Sequence, residues 1–471
     1  MKIEQIYTGC LAQGAYYIES DGEAAVIDPL REVEPYIKKA ERNHAVIKWV
    51  LETHFHADFV SGHLDLSKKT GAPIVYGPTA TPSFDAHIAK DGEILKLGKT
   101  KIKVLHTPGH TLESSCYLLF NEDEKPVALF SGDTLFIGDV GRPDLAQKAA
   151  SMTKEELAGL LFDSLRSKVM PLPDDIIVYP AHGAGSACGK NMSKETSDLL
   201  GHQKKTNYAL RADMTREQFI NEVTEGLQPP PAYFPLNVML NKQGYESIDE
   251  VMKRGNIAMS PDAFETAANE TGAIILDTRD AERFSAAFIP NSINIGLDGT
   301  FAPWVGALIP DIKQPILIVD EPGREEEVIT RLARVGYDHT IGYLKGGIRS
   351  WIEAAKETDR IENIDPEDFA KLLKKEPGTH VLDVRNPTEF NQAHLKNAQN
   401  HPLDYISEQM HELDKDKTYY AHCAGGYRSM VFASILKSRG FDHIINIKGG
   451  FKKLEENGKF HITTKAEQEA G

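Results

Sequence analysis

Short apolar runs separated by polar, glycine-containing turns set the rhythm of the first half of this chain. Candidate strands fall at 24–27, 47–51, 74–76, 102–106, 115–120, 128–131 and 176–179, each bounded by residues that favour turns. Helical periodicity emerges over 155–166 and 195–208. The proline-rich stretch 228–235 and the following 237–244 read as a meander leading out of a first domain, residues 1–255.

Beyond that point the pattern repeats. Ile274-Ile275-Leu276-Asp277-Thr278-Arg279 returns as His380-Val381-Leu382-Asp383-Val384-Arg385, 106 residues later. Gly336-Tyr337-Asp338-His339 returns as Gly440-Phe441-Asp442-His443, and Lys345-Gly346-Gly347 as Lys448-Gly449-Gly450. Solenoid repeats run to about 20–50 residues, so a period near 100 means two copies of one domain. Each copy alternates short buried strands with helices, which predicts a parallel sheet covered on both faces. The boundaries fall at 256–358 and 359–471.

Composition narrows the class. At 471 residues the chain exceeds one ordinary domain. A net charge of −16 argues against an electrostatic nucleic-acid or membrane-surface binder. No apolar run approaches the roughly 18 residues of a membrane helix, and the start Met-Lys-Ile-Glu-Gln-Ile-Tyr lacks the apolar core of a leader. Four cysteines in so long a chain make no disulfide framework. A reducing cytoplasm is the expected setting.

The densest chemistry follows the strand at 47–51, in Leu51-Glu52-Thr53-His54-Phe55-His56-Ala57-Asp58-Phe59. His54, His56 and Asp58 stand at alternate positions, so on extended chain they point the same way. Imidazole and carboxylate at this density suit a first-row divalent metal. Three more turns follow strands and carry ligand-type residues: His110 in Thr107-Pro108-Gly109-His110-Thr111, Asp133 in Ser131-Gly132-Asp133-Thr134, and His182 in Tyr179-Pro180-Ala181-His182-Gly183. Turns on a rigid scaffold are where such side chains can project.

This order resembles the metallo-β-lactamase superfamily over roughly the first 240 residues. The resemblance implies a four-layer αββα sandwich with metal at one end of its two sheets. In two-metal members His54, His56 and His110 would hold one ion, and Asp58, His182 and a further imidazole the other, with Asp133 between them. Phe59 stands where that imidazole would be, so the second site is expected to be weak or empty. Among single-metal relatives the chain most resembles the persulfide dioxygenases. They hold one iron on two histidines and one aspartate, here His54, His110 and Asp133, a set that leaves positions open for oxygen chemistry. The resemblance thus implies one Fe(II) per chain, with zinc as a substitute, and His56, Asp58 and His182 as groups orienting the ligands. Gly141-Arg142-Pro143-Asp144 matches that family's Gly-Arg-x-Asp, and Arg142 is a candidate clamp for a carboxylate on the carrier thiol. Cys188, in the small-residue run 183–189, is expected at the pocket rim without a catalytic role. Where glutathione-using relatives carry Asn-Pro-Arg, this chain has Asn207-Tyr208-Ala209.

The second repeat holds His422-Cys423-Ala424-Gly425-Gly426-Tyr427-Arg428-Ser429 between a predicted strand at 418–421 and a predicted helix at 430–438. Backbone N–H groups of a glycine-rich loop form an anion nest, and the following helix adds partial positive charge. With Arg428 these would stabilise a sulfur anion, making Cys423 the candidate nucleophile. Gly425, Gly426 and Ser429 would bind persulfide or the oxyanions of thiosulfate and sulfite. The motif Cys-x-x-Gly-x-Arg-Ser resembles the rhodanese family, as do Asp383-Val384-Arg385, Glu389-Phe390 and His394-Leu395. The resemblance spans roughly 362–456 and implies a Cys423 persulfide. The first repeat has Val319-Asp320-Glu321-Pro322-Gly323-Arg324 at the matching place and no nucleophile.

The expectation is therefore an α/β chain, a metallo-β-lactamase sandwich followed by two rhodanese domains. Its partners would be a thiol persulfide, O2, thiosulfate and sulfite, and its state a homo-oligomer without nucleic acid or membrane. The alternative is a glyoxalase II-like zinc thioester hydrolase with an accessory rhodanese, which needs two metals bridged by hydroxide.

Overall fold

The computed structural model describes residues 1–227 and 229–465. The chain divides into two units: Met1–Glu250 with Leu332–Gly336, and the rest from Val251 onward.

In the first unit, strands Lys2–Thr8 (β1), Gln13–Ser20 (β2), Glu23–Ile27 (β3), Val46–Leu51 (β4), Ile74–Tyr76 (β5) and His87–Ile88 (β6) form one sheet in sequence order. A second sheet takes Ile94–Leu97 (β7), Thr100–His106 (β8), Ser115–Phe120 (β9), Pro126–Gly132 (β10), Ile177–Pro180 (β11) and Asp198–Leu199 (β12), ordered from β12 back to β7. Side chains alternate between faces along a strand, and the inner strands β2, β3, β5, β9 and β10 are buried on both faces over most of their length. Ile27, Leu51 and Val75 meet Ile102, Leu119 and Phe130 between the sheets. Their neighbours Val26, Val50 and Ile74 pack outward on Tyr36, Ala40 and Leu66 of helices Glu34–Arg42 and His63–Thr70. On the far side Leu118, Leu129 and Val178 pack on Ala158, Leu161, Leu200 and Phe219 of helices Lys154–Ser164, Leu200–Thr206 and Arg216–Thr224. This is the αββα layering expected.

The pairing also aligns the chemistry. β8 and β10 both run antiparallel to β9, and β11 runs parallel to β10. The C-terminal ends of β8, β10 and β11 therefore share one edge, and the turns after them carry His110, Asp133 and His182.

The unit departs from the sequence reading in two places. The stretch 237–244, read as a meander, belongs to helix Phe234–Gln243, with Pro235 in its first turn, where a missing N–H costs nothing. Gln228 of the proline-rich stretch lies outside the described residues. The helix expected over 195–208 spans only Leu200–Thr206, because Asp198 and Leu199 pair with β11 as an edge strand.

The second unit contains the repeat as two parallel sheets of identical order. The first is Ala258–Met259 (β13), Thr340–Leu344 (β17), Ile316–Val319 (β16), Ile274–Asp277 (β14) and Ile293–Asn294 (β15), in order across the sheet. The second is Glu362–Ile364 (β18), Ile444–Ile447 (β23), Tyr419–His422 (β22), His380–Asp383 (β19) and Gln399–Asn400 (β21). Ala393–Leu395 (β20) and Ile462–Thr464 (β24) pair separately. The repeated Asp-x-Arg is a brace: Arg279 and Arg385 each grip the buried aspartate two residues earlier through Nε and Nη2 at 2.5–3.1 Å. Each also donates to a backbone carbonyl, of Ala287 or Ala393. Among the described residues no helix is long and apolar enough to cross a membrane.

Candidate metal centre and sulfur-transfer site

The metal-type ligands are held from behind. Asp28, at the end of β3, accepts from Thr53 N and Thr53 Oγ1, both at 2.8 Å. With its proton committed to Asp28, Thr53 Oγ1 accepts from His54 Nδ1 at 2.9 Å, which leaves His54 Nε2 a free lone pair. His110 Nδ1 donates to the Arg142 carbonyl at 2.9 Å, so its Nε2 is free in the same way. These two nitrogens lie 3.8 and 3.4 Å from Asp133 Oδ2. That oxygen is buried and makes no hydrogen bond among the described residues. Burial works against charge on Asp133, yet the surrounding histidines, His182 foremost, hold its carboxyl far below the usual carboxylate range. Burial, with His56 beside it, pushes His54 below the usual histidine range. Two imidazoles with Nε2 facing forward and an orphaned carboxylate oxygen, all donor atoms within 4.8 Å of one another, fit a divalent metal.

His56 is not part of this cluster. Its Nε2 lies 3.1 Å from Asp28 Oδ1 and 3.7 Å from Glu52 Oε2, and its ring packs 4.4 Å from that of Phe59. His182 sits between two carboxylates, Nδ1 donating to Asp133 Oδ1 at 2.8 Å and Nε2 lying 2.8 Å from Asp58 Oδ2. Although burial opposes it, Asp133 and Asp58 together raise the His182 pKa well above its ordinary value. Cys188, expected at a rim, is only 1% exposed. Its thiol is pushed up by burial and by Asp58 and Asp133.

Arg142 does not present an open clamp. Its Nε and Nη2 donate to the two carboxylate oxygens of Asp144 at 3.0 and 2.8 Å, and Nη1 donates to the Ala187 carbonyl. A guanidinium committed to a carboxylate two residues away is a brace for the loop whose carbonyl holds His110. Gly141 is required there, since a Cβ would lie 2.0 Å from the Asp133 carbonyl. A cavity of about 160 Å³ reaches His110 between Phe55, Ala57, Glu113, Val238 and Lys242.

In the second unit the Cys423 loop is a nest. Gly426 N donates to Cys423 Sγ at 3.0 Å, and Gly426 itself has φ +106°, which favours glycine. Helix Tyr427–Ser438 starts three residues earlier than the pattern predicted. Arg428 therefore lies on its first turn, its two Nη atoms bonded to Glu389 Oε2 and Oε1 at 2.6 and 2.8 Å. Ser429 is turned inward by the same helical twist: its hydroxyl donates to Asn446 Oδ1 at 2.7 Å, and it is fully buried. It is not among the residues that line the cavity at Cys423, where a substrate-binding role was expected of it. Gly425 and Gly426 do line that cavity, of about 860 Å³, with Cys423 and Arg428. Asp298, Gly299 and Trp304 of the first repeat form its other wall. Tyr427 reaches across to the Gly296 carbonyl at 2.8 Å. Sequence reasoning missed that wall, because nothing in a strand pattern says which loops of two domains face each other. It missed Asp28 also, although an acid directly after a buried strand was a signal. At the position of Cys423 the first repeat places Asp320, which follows β16 as Cys423 follows β22.

Comparison with known proteins agrees with this architecture. The metallo-beta-lactamase superfamily signature matches residues 8–182, and the rhodanese-like domain signature matches twice, at 260–354 and 365–457. A probable hydroxyacylglutathione hydrolase of Schizosaccharomyces pombe is 32% identical over 188 residues, 39% of this chain and 68% of its own. Hydroxyacylglutathione hydrolase GloC of Haemophilus influenzae is 33% identical over 213 residues, 40% of this chain and 94% of its own. The crystal structure of a metallo-beta-lactamase from Staphylococcus aureus subsp. aureus COL aligns with TM-score 0.64 and 31% identity, covering 73% of this chain and 98% of that one. The chain belongs to the metallo-β-lactamase superfamily and carries two rhodanese-like domains behind its sandwich.

Proposed function

We propose that the chain is a persulfide dioxygenase fused to a sulfurtransferase. The overall reaction is RSSH + O2 + H2O → RSH + sulfite + two protons. Fe(II) held by His54, His110 and Asp133 would supply activation of O2 toward the outer sulfur. The observation that carries the reading is the membership of this cluster. Asp133 belongs to it and His56, turned to Asp28 and Glu52, does not. That is a two-histidine, one-carboxylate face rather than the three-histidine face of the hydrolases.

The protein's own groups do the positioning. Thr53 and the Arg142 carbonyl fix both imidazoles with Nε2 forward. His182 holds Asp133 by its other oxygen, leaving Oδ2 for the metal. Phe55, Ala57 and Val238 shape an apolar approach that keeps bulk water off the reacting sulfur. At the second site, Cys423 attacks the outer sulfur of thiosulfate. A Cys–S–S⁻ bond forms and sulfite leaves, with the Gly426 N–H and Arg428 meeting the negative charge. Asp320 cannot carry sulfur, so the first repeat contributes a wall and no nucleophile.

The names of the curated relatives favour a second reading, hydrolysis of a glutathione thioester on zinc. One experiment separates the two: purified protein loaded with Fe(II) or Zn(II) is given glutathione and coenzyme A persulfides, or a glutathione thioester. Oxygen uptake with iron and sulfite release is the expected result. Thioester turnover with zinc and no oxygen uptake would overturn it. Cys423→Ser is expected to keep oxygen uptake and lose thiosulfate turnover.

A further inference from the structure

The cavity at Cys423 is far larger than its anion nest requires. An ion as compact as thiosulfate fills a small part of about 860 Å³, a volume typical of pockets that enclose a whole organic ligand. Its charges are also sorted by wall. The second repeat contributes the Gly426 N–H, Arg428 and Lys448, all donors. The first repeat contributes Asp280, Glu282 and Asp298, with the ring of Trp304.

Local structure explains the acidic side. Asp280 caps helix Ala281–Ala286, its Oδ1 accepting from Glu282 N and Arg283 N, both at 3.0 Å. Arg283 Nε lies 3.2 Å from Asp280 Oδ2, and the two Nη atoms of Arg324 donate to the Asp298 carboxylate at 2.9 and 2.8 Å. Neither Arg283 nor Arg324 lines the cavity, so it is the carboxylates that border the space. Glu282 is exposed on the first turn of its helix and carries no ion pair among the described residues. Trp304, in helix Phe301–Leu308, is half-buried beside the same space. A carboxylate attracts a cation, and so does the face of an indole ring.

We propose that this first-repeat wall binds the sulfur acceptor, and that the acceptor is a thiol bearing an ammonium group close to its sulfur. The inference rests on the reading of Cys423 as the sulfur carrier. Donor and acceptor then use opposite walls. The anionic donor meets the nest and Arg428, while the aminothiol sets its ammonium against Glu282 and Trp304. In the transfer step the acceptor sulfur bonds the outer sulfur of Cys423–S–S⁻ as the bond from that sulfur to Cys423 Sγ breaks. The thiol proton passes to the transferred sulfur, the product leaves as RSSH, and Cys423 returns as thiolate. A thiol carrying a carboxylate instead would face Asp280, Glu282 and Asp298, and juxtaposed like charges disfavour a partner. The repeat without a nucleophile thus selects the acceptor by the sign of its charge.

The test uses the full chain in anaerobic buffer, where the first site has no O2 with which to consume persulfide, and thiosulfate as donor. The acceptors are 2-aminoethanethiol, 2-mercaptoethanol and mercaptoacetate, matched in size and differing in charge. Steady-state sulfite release gives kcat/KM for each acceptor. Because these thiols differ in intrinsic reactivity, the deciding quantity is the change in their ratio between proteins. The aminothiol is expected to be the best acceptor of the wild type and mercaptoacetate the poorest. Glu282→Gln should narrow the amine-to-carboxylate ratio by roughly 2- to 5-fold, as loss of an exposed ion pair does, and Glu282→Lys should narrow it further. Trp304→Leu should lower kcat/KM for the aminothiol by roughly 2- to 5-fold more than for 2-mercaptoethanol. Mercaptoacetate as the best wild-type acceptor, or a ratio unchanged in both Glu282 variants, would overturn the proposal. Failure of the underlying reading shows separately, as the absence of a sulfite burst when wild-type protein meets thiosulfate without acceptor; that result sinks sulfur transfer and this inference together. A burst followed by an unchanged ratio sinks the acceptor wall alone.

Discussion

Glu389→Gln is the substitution that most directly examines how the Cys423 loop is charged. Glu389 holds both Nη atoms of Arg428 at 2.6 and 2.8 Å. It also closes a capping box with Asn386, whose Oδ1 accepts from Glu389 N. Glutamine can serve that cap, so helix Pro387–Gln392 should survive. What changes is one acceptor oxygen, replaced by an NH2 facing a guanidinium. Hydrogen bonds to charged groups contribute about 1.5–3 kcal/mol when shielded from water. With side chains 19% and 30% exposed, the pair is discounted to about 1–2 kcal/mol. If Arg428 meets charge at the transferring sulfur, that loss appears as a fall of roughly 5- to 30-fold in kcat/KM for thiosulfate. The assay is sulfite release from thiosulfate with a thiol acceptor, alongside oxygen uptake, which should stay near wild type, and chemical denaturation, which should show a loss of no more than about 1–2 kcal/mol. An unchanged rate would refute the reasoning. A faster rate would show instead that Glu389 withholds Arg428 from the anion.

Two further outcomes follow from the second unit. A Cβ at Gly299 would lie 2.2 Å from Tyr427 Cε2, so Gly299→Ala should destabilise the unit by about 1–3 kcal/mol through overpacking and slow sulfur transfer; wild-type denaturation and turnover would contradict it. Burial pushes the Asp320 carboxyl up to about 6 from an ordinary 3.8. The folded chain therefore binds this proton more tightly than the unfolded chain. The stabilisation is full below the ordinary value and is lost as pH rises through about 6. Asp320→Asn should remove that slope and gain about 1–2 kcal/mol at neutral pH; denaturation curves for both proteins at about pH 4 and about pH 7.5 check it, and equal differences at both pH values would refute it.

Features set by local periodicity are legible in the amino-acid order alone. Seven strands of the sandwich, the repeat, the paired-glycine turns and the His54-to-His182 ligand order all appear as patterns that backbone geometry makes unavoidable. Gly346 and Gly347, like Gly449 and Gly450, have positive φ because each turn leads a strand straight into a helix. Less local features are not legible. Strand alternation alone does not say that His56 turns to Asp28 and Glu52 while Asp133 joins His54 and His110, since alternate positions stop sharing a face once the strand ends at Leu51; only the family resemblance suggests that grouping. Arg142 reads as a free clamp because its bond to Asp144 and its carbonyl's grip on His110 depend on how a loop folds back. Ser429 reads as a ligand because the first three residues of its helix carry no periodic signal. Residue order thus dictates which donors the chain owns and the sheet edge on which they gather. Which of those donors meet is left to packing, because ligand groupings are set by distances of a few ångströms between loops far apart along the chain.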